Sequence, residues 1–189
     1  MEPVIETYSG VMFDFLDPDY VDIRIEDIAH SLSMQCRFTG HCRRFYSVAE
    51  HSVAVADHLL KEYSDRKLAL AGLLHDASEA YLSDIASPLK YQLDIYDQIE
   101  TSLQAHLENR FRVDLKDPRI KKADIVMLSQ EARQLLPSKG DTWDWEGNWG
   151  GRPDPVEPVA CLAPHYAEQL FLSWYRRLSL EPEILVANG

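Results

Sequence analysis

The chain has 189 residues, 46% hydrophobic and 26% charged, which suits a single domain over 1–189 with a real core. Its 31 acidic and 19 basic residues give a net charge of -12, a surface that repels polyphosphate backbones and argues against a nucleic acid polymer as partner. An odd three cysteines, no apolar run long enough for a bilayer and an acidic Met1–Glu6 without the apolar stretch of a secretory signal predict a soluble cytoplasmic protein with no membrane partner.

Val4–Tyr8 and Val11–Phe15 flank the turn pair Ser9-Gly10 and predict a small hairpin, after which Asp17-Pro18-Asp19 breaks the chain. Ile25, Ile28, Ala29 and Leu32 recur at helical spacing and form one apolar face. Residues 35–46 have no clean period. Around Gly40 they gather Arg37, Arg43, Arg44, His41, Phe38, Phe45 and Tyr46, a loop able to offer Arg37 to a phosphate and a ring to a base. No second Cys/His pair at finger-like spacing follows Cys36, His41 and Cys42, so the cysteines read as small buried thiols.

Ser47-Val48-Ala49-Glu50 is a capping box, opening a helix on which His51, Val55, His58 and Leu59 lie near one face. A second long helix is predicted from about Asp65 to Tyr81, with Gly72 letting a neighbour come close. Ser87-Pro88 caps a third helix to about Phe111, with Leu93, Tyr96, Ile99, Leu103 and Leu107 inward. Asp117-Pro118 repeats the signal for a helix to about Leu136, closed by Pro137, on which Lys121, Asp124, Leu128 and Glu131 share a face. Residues 138–158 place three tryptophans among glycines and prolines and predict a long ordered loop without regular structure. Those rings either bury against the chain's own core or a sister subunit, or anchor a foreign partner. A last helix runs from about Pro164 to Leu178 with Leu170, Phe171, Trp174 and Tyr175. The predicted fold class is all-α, with a small N-terminal β-hairpin and a long Trp/Gly/Pro-rich loop before the last helix.

Four groups interrupt these apolar faces: His51, His75 with Asp76, and Asp124. A bare Asp on a packing face is costly unless paired or bound to metal. Two imidazoles and two carboxylates suit one borderline divalent ion (Co, Mn, Ni, Fe or Zn) and leave room for water and a phosphate oxygen. Glu79, one turn beyond the His-Asp pair if the helix continues, could then handle protons. Taken singly, His51 reads more readily as a surface residue and Asp124 as a partner for Lys121; together they favour the site.

The pattern His51…His75-Asp76…Asp124 resembles the signature of the HD phosphohydrolase superfamily. Tyr46-Ser-Val-Ala-Glu-His51-Ser-Val, Leu74-His-Asp-Ala-Ser-Glu79, Asp84 with Pro88 and Lys90, and Lys122-Ala-Asp124 resemble its small nucleotide-hydrolysing branch over roughly residues 35–135. That branch includes 5'-deoxynucleotidases and phage dATP triphosphohydrolases. The resemblance implies an HD-type helical bundle with His51, His75, Asp76 and Asp124 holding one metal. It implies Glu79 as catalytic acid or base, with Asp84 assisting the attacking water or the leaving group. Arg37 is expected on the α-phosphate, Lys90 and Lys121 on further phosphate oxygens, and Phe38 and Pro88 near sugar or base. Only His106 lies between the His-Asp pair and Asp124, so a second metal is not expected. The expected activity is hydrolysis at the α-phosphorus of a deoxynucleotide, dATP first among dNTPs, releasing deoxynucleoside and tripolyphosphate. A 5'-deoxynucleotidase acting on dNMPs is the alternative. The resemblance also implies a homo-oligomer, located in the host cytoplasm if phage-encoded. Two rivals remain at this point: a nucleotide-binding regulator with a structural metal, and an interaction module built on residues 141–153.

Overall fold

A computed structural model describes residues 4–18, 23–155 and 158–180; Asp19 of the predicted break and residues 156–157 of the tryptophan segment lie outside them. Strands β1 (Val4–Glu6) and β2 (Met12–Asp14) pair antiparallel, Val4 opposite Asp14, across a turn in which Gly10 takes φ +80°. The hairpin is tied to helix α1 (Ile25–Met34) by buried Asp27, whose carboxylate accepts from the Ser9 amide (2.7 Å), the Ser9 hydroxyl (2.8 Å) and the Thr7 hydroxyl (2.9 Å). Ile28, Ala29 and Leu32 are buried as their spacing predicts, and Ile25 is half-buried.

Helix α2 (Val48–Tyr63) is the centre of the structure, packing against α1, α3, α7 and α9. Half of the predicted capping box forms: the Ser47 hydroxyl accepts from the Glu50 amide (3.1 Å). Glu50 does not reach back to the cap. Its carboxylate faces the other way and accepts from the amides of Ala160 (3.1 Å), Cys161 (2.8 Å) and Leu162 (2.8 Å).

The helix predicted over Asp65–Tyr81 is two. Helix α3 (Arg66–Leu73), capped by Asp65, gives way to turns over 74–78 before α4 (Glu79–Leu82). The His75 ring donates from Nδ1 to the Gly72 carbonyl (2.8 Å), satisfying a helix-end acceptor that has no helical amide. The predicted third helix also divides, into α5 (Ser87–Lys90) and α6 (Asp94–Phe111). Leu93 lies outside helical geometry at φ -121°, ψ 75°, and the chain restarts at the acidic first turn of α6. Only Leu103 and Leu107 of the five residues expected inward are buried, because the first half of α6 stands clear of the core.

Helix α7 (Pro118–Leu135) starts on the Asp117 cap and ends where Leu136 turns extended before Pro137. The tryptophan segment contains a short helix, α8 (Trp145–Trp149), where only loop was expected, because the Asp144 carboxylate caps the Gly147 amide (2.8 Å). Its rings pack on one another (Trp145–Trp149 4.8 Å, Trp143–Trp145 5.4 Å) and on Ala132, Leu136 and Phe38. Within the cluster Trp145 is buried, while Trp143 and Trp149 are half-buried. Helix α9 (Pro164–Ser179) buries Ala167, Phe171 and Leu178, with Leu170, Trp174 and Tyr175 half-buried beside them. The three cysteines are half-buried and free rather than buried: they sit on irregular connections, with Cys36 Sγ 3.4 Å from Cys42 Sγ. Among the described residues no helix is long and apolar enough to cross a membrane.

Candidate metal and phosphate site

His51 projects from the first turn of α2, His75 and Asp76 from the turns after α3, and Asp124 from α7. The His-Asp pair thus lies on a helix break rather than within a helix. His51, His75 and Asp76 each bring a donor atom within 4.8 Å of the other two. Asp76 Oδ2 is 3.1 Å from His75 Nε2 and 3.6 Å from His51 Nε2, and Asp124 Oδ1 adjoins the trio 3.3 Å from His51 Nε2. Both Nε2 atoms are buried and make no hydrogen bond. Buried polar atoms without partners are rare in proteins, and two of them facing carboxylate oxygens fit a divalent ion.

The outer nitrogens of the two rings are occupied. His75 Nδ1 is held by the Gly72 carbonyl, and His51 Nδ1 lies 2.6 Å from Glu131 Oε1. The other Glu131 oxygen accepts from Arg37 Nε (3.0 Å), and Arg37 NH1 lies 3.8 Å from Asp76 Oδ2. Arg37 therefore reaches the same cluster from the irregular 35–46 segment. That segment is pinned by the Arg37 amide on the Tyr46 carbonyl (2.9 Å) and the Arg43 amide on the Leu135 carbonyl (2.8 Å). Phe38, next in sequence, has φ +55°, lies under the Arg37 guanidinium (5.6 Å) and faces Trp143 (6.5 Å).

On the far side, Glu79 is buried with Oε1 3.1 Å from Lys90 Nζ and Oε2 without a partner. Lys90 is held between Glu79 and Glu100 (3.0 Å). Lys121 Nζ lies on Asp124 Oδ2 (2.8 Å) and is mostly exposed. Pro88, in the first turn of α5, is exposed.

Charge sets the protonation states. Burial works against the charged form of Asp76, but His75 and then His51 hold its carboxyl well below the usual range. Burial also opposes Asp124, yet His51 beside it and the charges of His75 and Lys121 hold its carboxyl well below that range. For His51, burial and Arg37 act downward, yet Glu131 and Asp124 prevail and raise it to about 9. An ion held here would compete with a proton for His51. Burial, Asp76 and Asp84 push Glu79 well above the usual carboxyl range against the pull of Lys90. Burial also raises Asp84, against Arg37 and Lys90. Burial disfavours the Arg37 cation, but Glu131, Asp76 and Asp124 more than restore it.

Two residues absent from the sequence-level site hold it together. Glu131 ties His51 to Arg37. Gln35 accepts from the Asp84 amide (2.8 Å) while donating to the Glu79 carbonyl (2.9 Å), so it fixes the segment bearing both acids.

No family model matches the chain. It is 37% identical over 177 residues to "Uncharacterized protein YfdR" of Escherichia coli (strain K12), covering 93% of this chain and 95% of that protein. It is 36% identical over 158 residues to an uncharacterized protein of Rhodobacter capsulatus, covering 78% of this chain and 79% of that one.

Proposed function

We propose that this chain, which belongs to the same protein family as YfdR of Escherichia coli, is a metal-dependent phosphohydrolase of the HD superfamily. It attacks the α-phosphorus of a deoxynucleotide, in the first place a dNTP such as dATP, releasing deoxynucleoside and tripolyphosphate. The observation that carries the reading is the pair of buried, unpartnered Nε2 atoms of His51 and His75 facing Asp76 and Asp124, with Arg37 NH1 3.8 Å from Asp76. The pair supports a divalent ion; the nearby guanidinium supports an anionic substrate.

The ion supplies, when bound, positive charge at the phosphoryl oxygens and a more acidic water. His51, His75, Asp76 and Asp124 would hold it. Arg37, kept cationic by three carboxylates, binds an α-phosphate oxygen and offsets the charge that grows there as water adds to phosphorus. The P–O5' bond breaks and the sugar oxygen takes a proton from Glu79, whose raised pKa keeps that proton available. Asp84, fixed by Gln35 and itself raised by burial, accepts a proton from the incoming water. In this reading a binding-only regulator would have no use for two acids with elevated pKa values beside the ligands.

One observation favours the second reading, a 5'-deoxynucleotidase yielding inorganic phosphate. Lys90 is already engaged by Glu79 and Glu100, and Lys121 by Asp124, so the cations assigned to the β- and γ-phosphates are paired. A panel of dNMPs and dNTPs incubated with the protein and Mn²⁺ or Co²⁺, with products resolved by chromatography, separates the readings. Nucleoside with tripolyphosphate supports the first, and nucleoside with phosphate from dNMPs alone the second. Release of no nucleoside from any member sinks both.

A further inference from the structure

We propose that Glu131 is a positioning residue that holds the metal ligand His51 and the phosphate-binding Arg37 with one carboxylate, an inference that rests on the function above. Its side chain is 0% exposed, with one oxygen 2.6 Å from His51 Nδ1 and the other 3.0 Å from Arg37 Nε. A carboxylate only accepts, so Nδ1 carries a hydrogen and Nε2, facing Asp76 and Asp124, is the nitrogen left to ligate an ion. The same contact makes the imidazole a more basic ligand and fixes the plane of its ring.

Arg37 needs this support for a different reason. It lies in an irregular segment between a bridge residue, Cys36, and two residues with left-handed backbone, Phe38 (φ +55°) and Thr39 (φ +53°). No helix or strand fixes its direction. Glu131, 94 positions later on a long helix, does so through Nε, and leaves NH1 near Asp76.

Glutamine at this position supplies one acceptor for two donors. If its carbonyl serves Arg37, its NH₂ faces Nδ1 and favours the imidazole with hydrogen on Nε2, which cannot ligate. The test is a titration of metal-free protein with Co²⁺ followed by visible absorption, then of the loaded protein with inorganic phosphate. Glu131→Gln is expected to weaken Co²⁺ binding about 10- to 100-fold and phosphate binding with it. Arg37→Gln is expected to weaken phosphate binding alone. Glu131→Gln binding Co²⁺ within about twofold of wild type overturns the inference and leaves the phosphohydrolase reading standing; wild type that binds no Co²⁺ overturns both. Should the variant not fold, ¹⁵N NMR of Zn²⁺-loaded wild type decides. His51 ligating through Nε2 with Nδ1 protonated is the expected signature, and ligation through Nδ1 overturns the inference.

Discussion

The first turn of α2 has two sides, and each is met by a buried glutamate. On one, Glu50 (5% exposed) receives three backbone amides from residues 160–162; on the other, Glu131 (0% exposed) receives an imidazole and a guanidinium across from His51. Residue type and burial are the same. What differs is the partner: neutral amides of a connecting segment on one side, an imidazole and a guanidinium on the other. A buried acid whose partners are backbone amides clamps a segment in place; one whose partners are an imidazole and a guanidinium serves, under the proposed function, to aim them.

The largest effects are expected on the His51 side. Asp76→Ala is expected to abolish nucleoside release while the protein still melts cooperatively, since Asp76 faces both imidazoles and Arg37 rather than the core; activity comparable to wild type would refute its place among the ligands. Next comes Glu79→Gln, expected to keep Co²⁺ binding and lose about 10²- to 10⁴-fold in kcat. It also carries a pH signature in the metal-free protein. The folded-state pKa of Glu79 is raised above its ordinary 4.5, so its contribution to stability is full below that value and is lost as pH rises through the raised one. Wild type therefore loses stability over that window and Glu79→Gln shows a flatter melting profile across it. A smaller effect belongs to the Glu50 side. Glu50→Gln leaves backbone amides short of an acceptor and costs about 1–3 kcal/mol, read as a lower Tm with kcat/KM unchanged well below it. If activity falls and Tm holds, the two sides are not distinct in the way the partners indicate. The smallest effect is at Thr39, a β-branched residue at φ +53°. Thr39→Gly relieves that backbone and adds less than about 1 kcal/mol of stability, read as a slightly higher Tm, while a looser Arg37 raises KM.

The elements legible in sequence were those with local chemistry. Asp117-Pro118 and Ser47 announce helix starts through their own side chains, and the spacing of Ile28, Ala29 and Leu32 declares an inward face without help from elsewhere. The breaks were not legible. His75 closes α3 with a ring-to-carbonyl hydrogen bond that no propensity encodes, and α6 carries an apolar pattern that the core meets only at Leu103 and Leu107. The tryptophan segment hid a helix because the amide that its cap, Asp144, receives belongs to Gly147, a residue that reads as a helix breaker. Of the site, His51, His75, Asp76 and Asp124 could be read because charged and imidazole groups interrupted apolar faces. Glu131 obeys the same rule: it lies two turns beyond Asp124 on one face of α7, and a bare acid there requires a partner. Its role stayed hidden because Arg37, the partner, comes from a stretch with no period to orient it. Gln35 gave no signal at all, since an uncharged amide at a helix end is ordinary.

Gly72 gives these distances their scale. A methyl group at that position would lie 2.4 Å from Leu59 Cδ1 on α2, so a single hydrogen there is what allows α3 to nest against its neighbour. The same residue's carbonyl steers His75. A side chain at this position would press α3 away from α2, and the carbonyl that orients His75 would move with it.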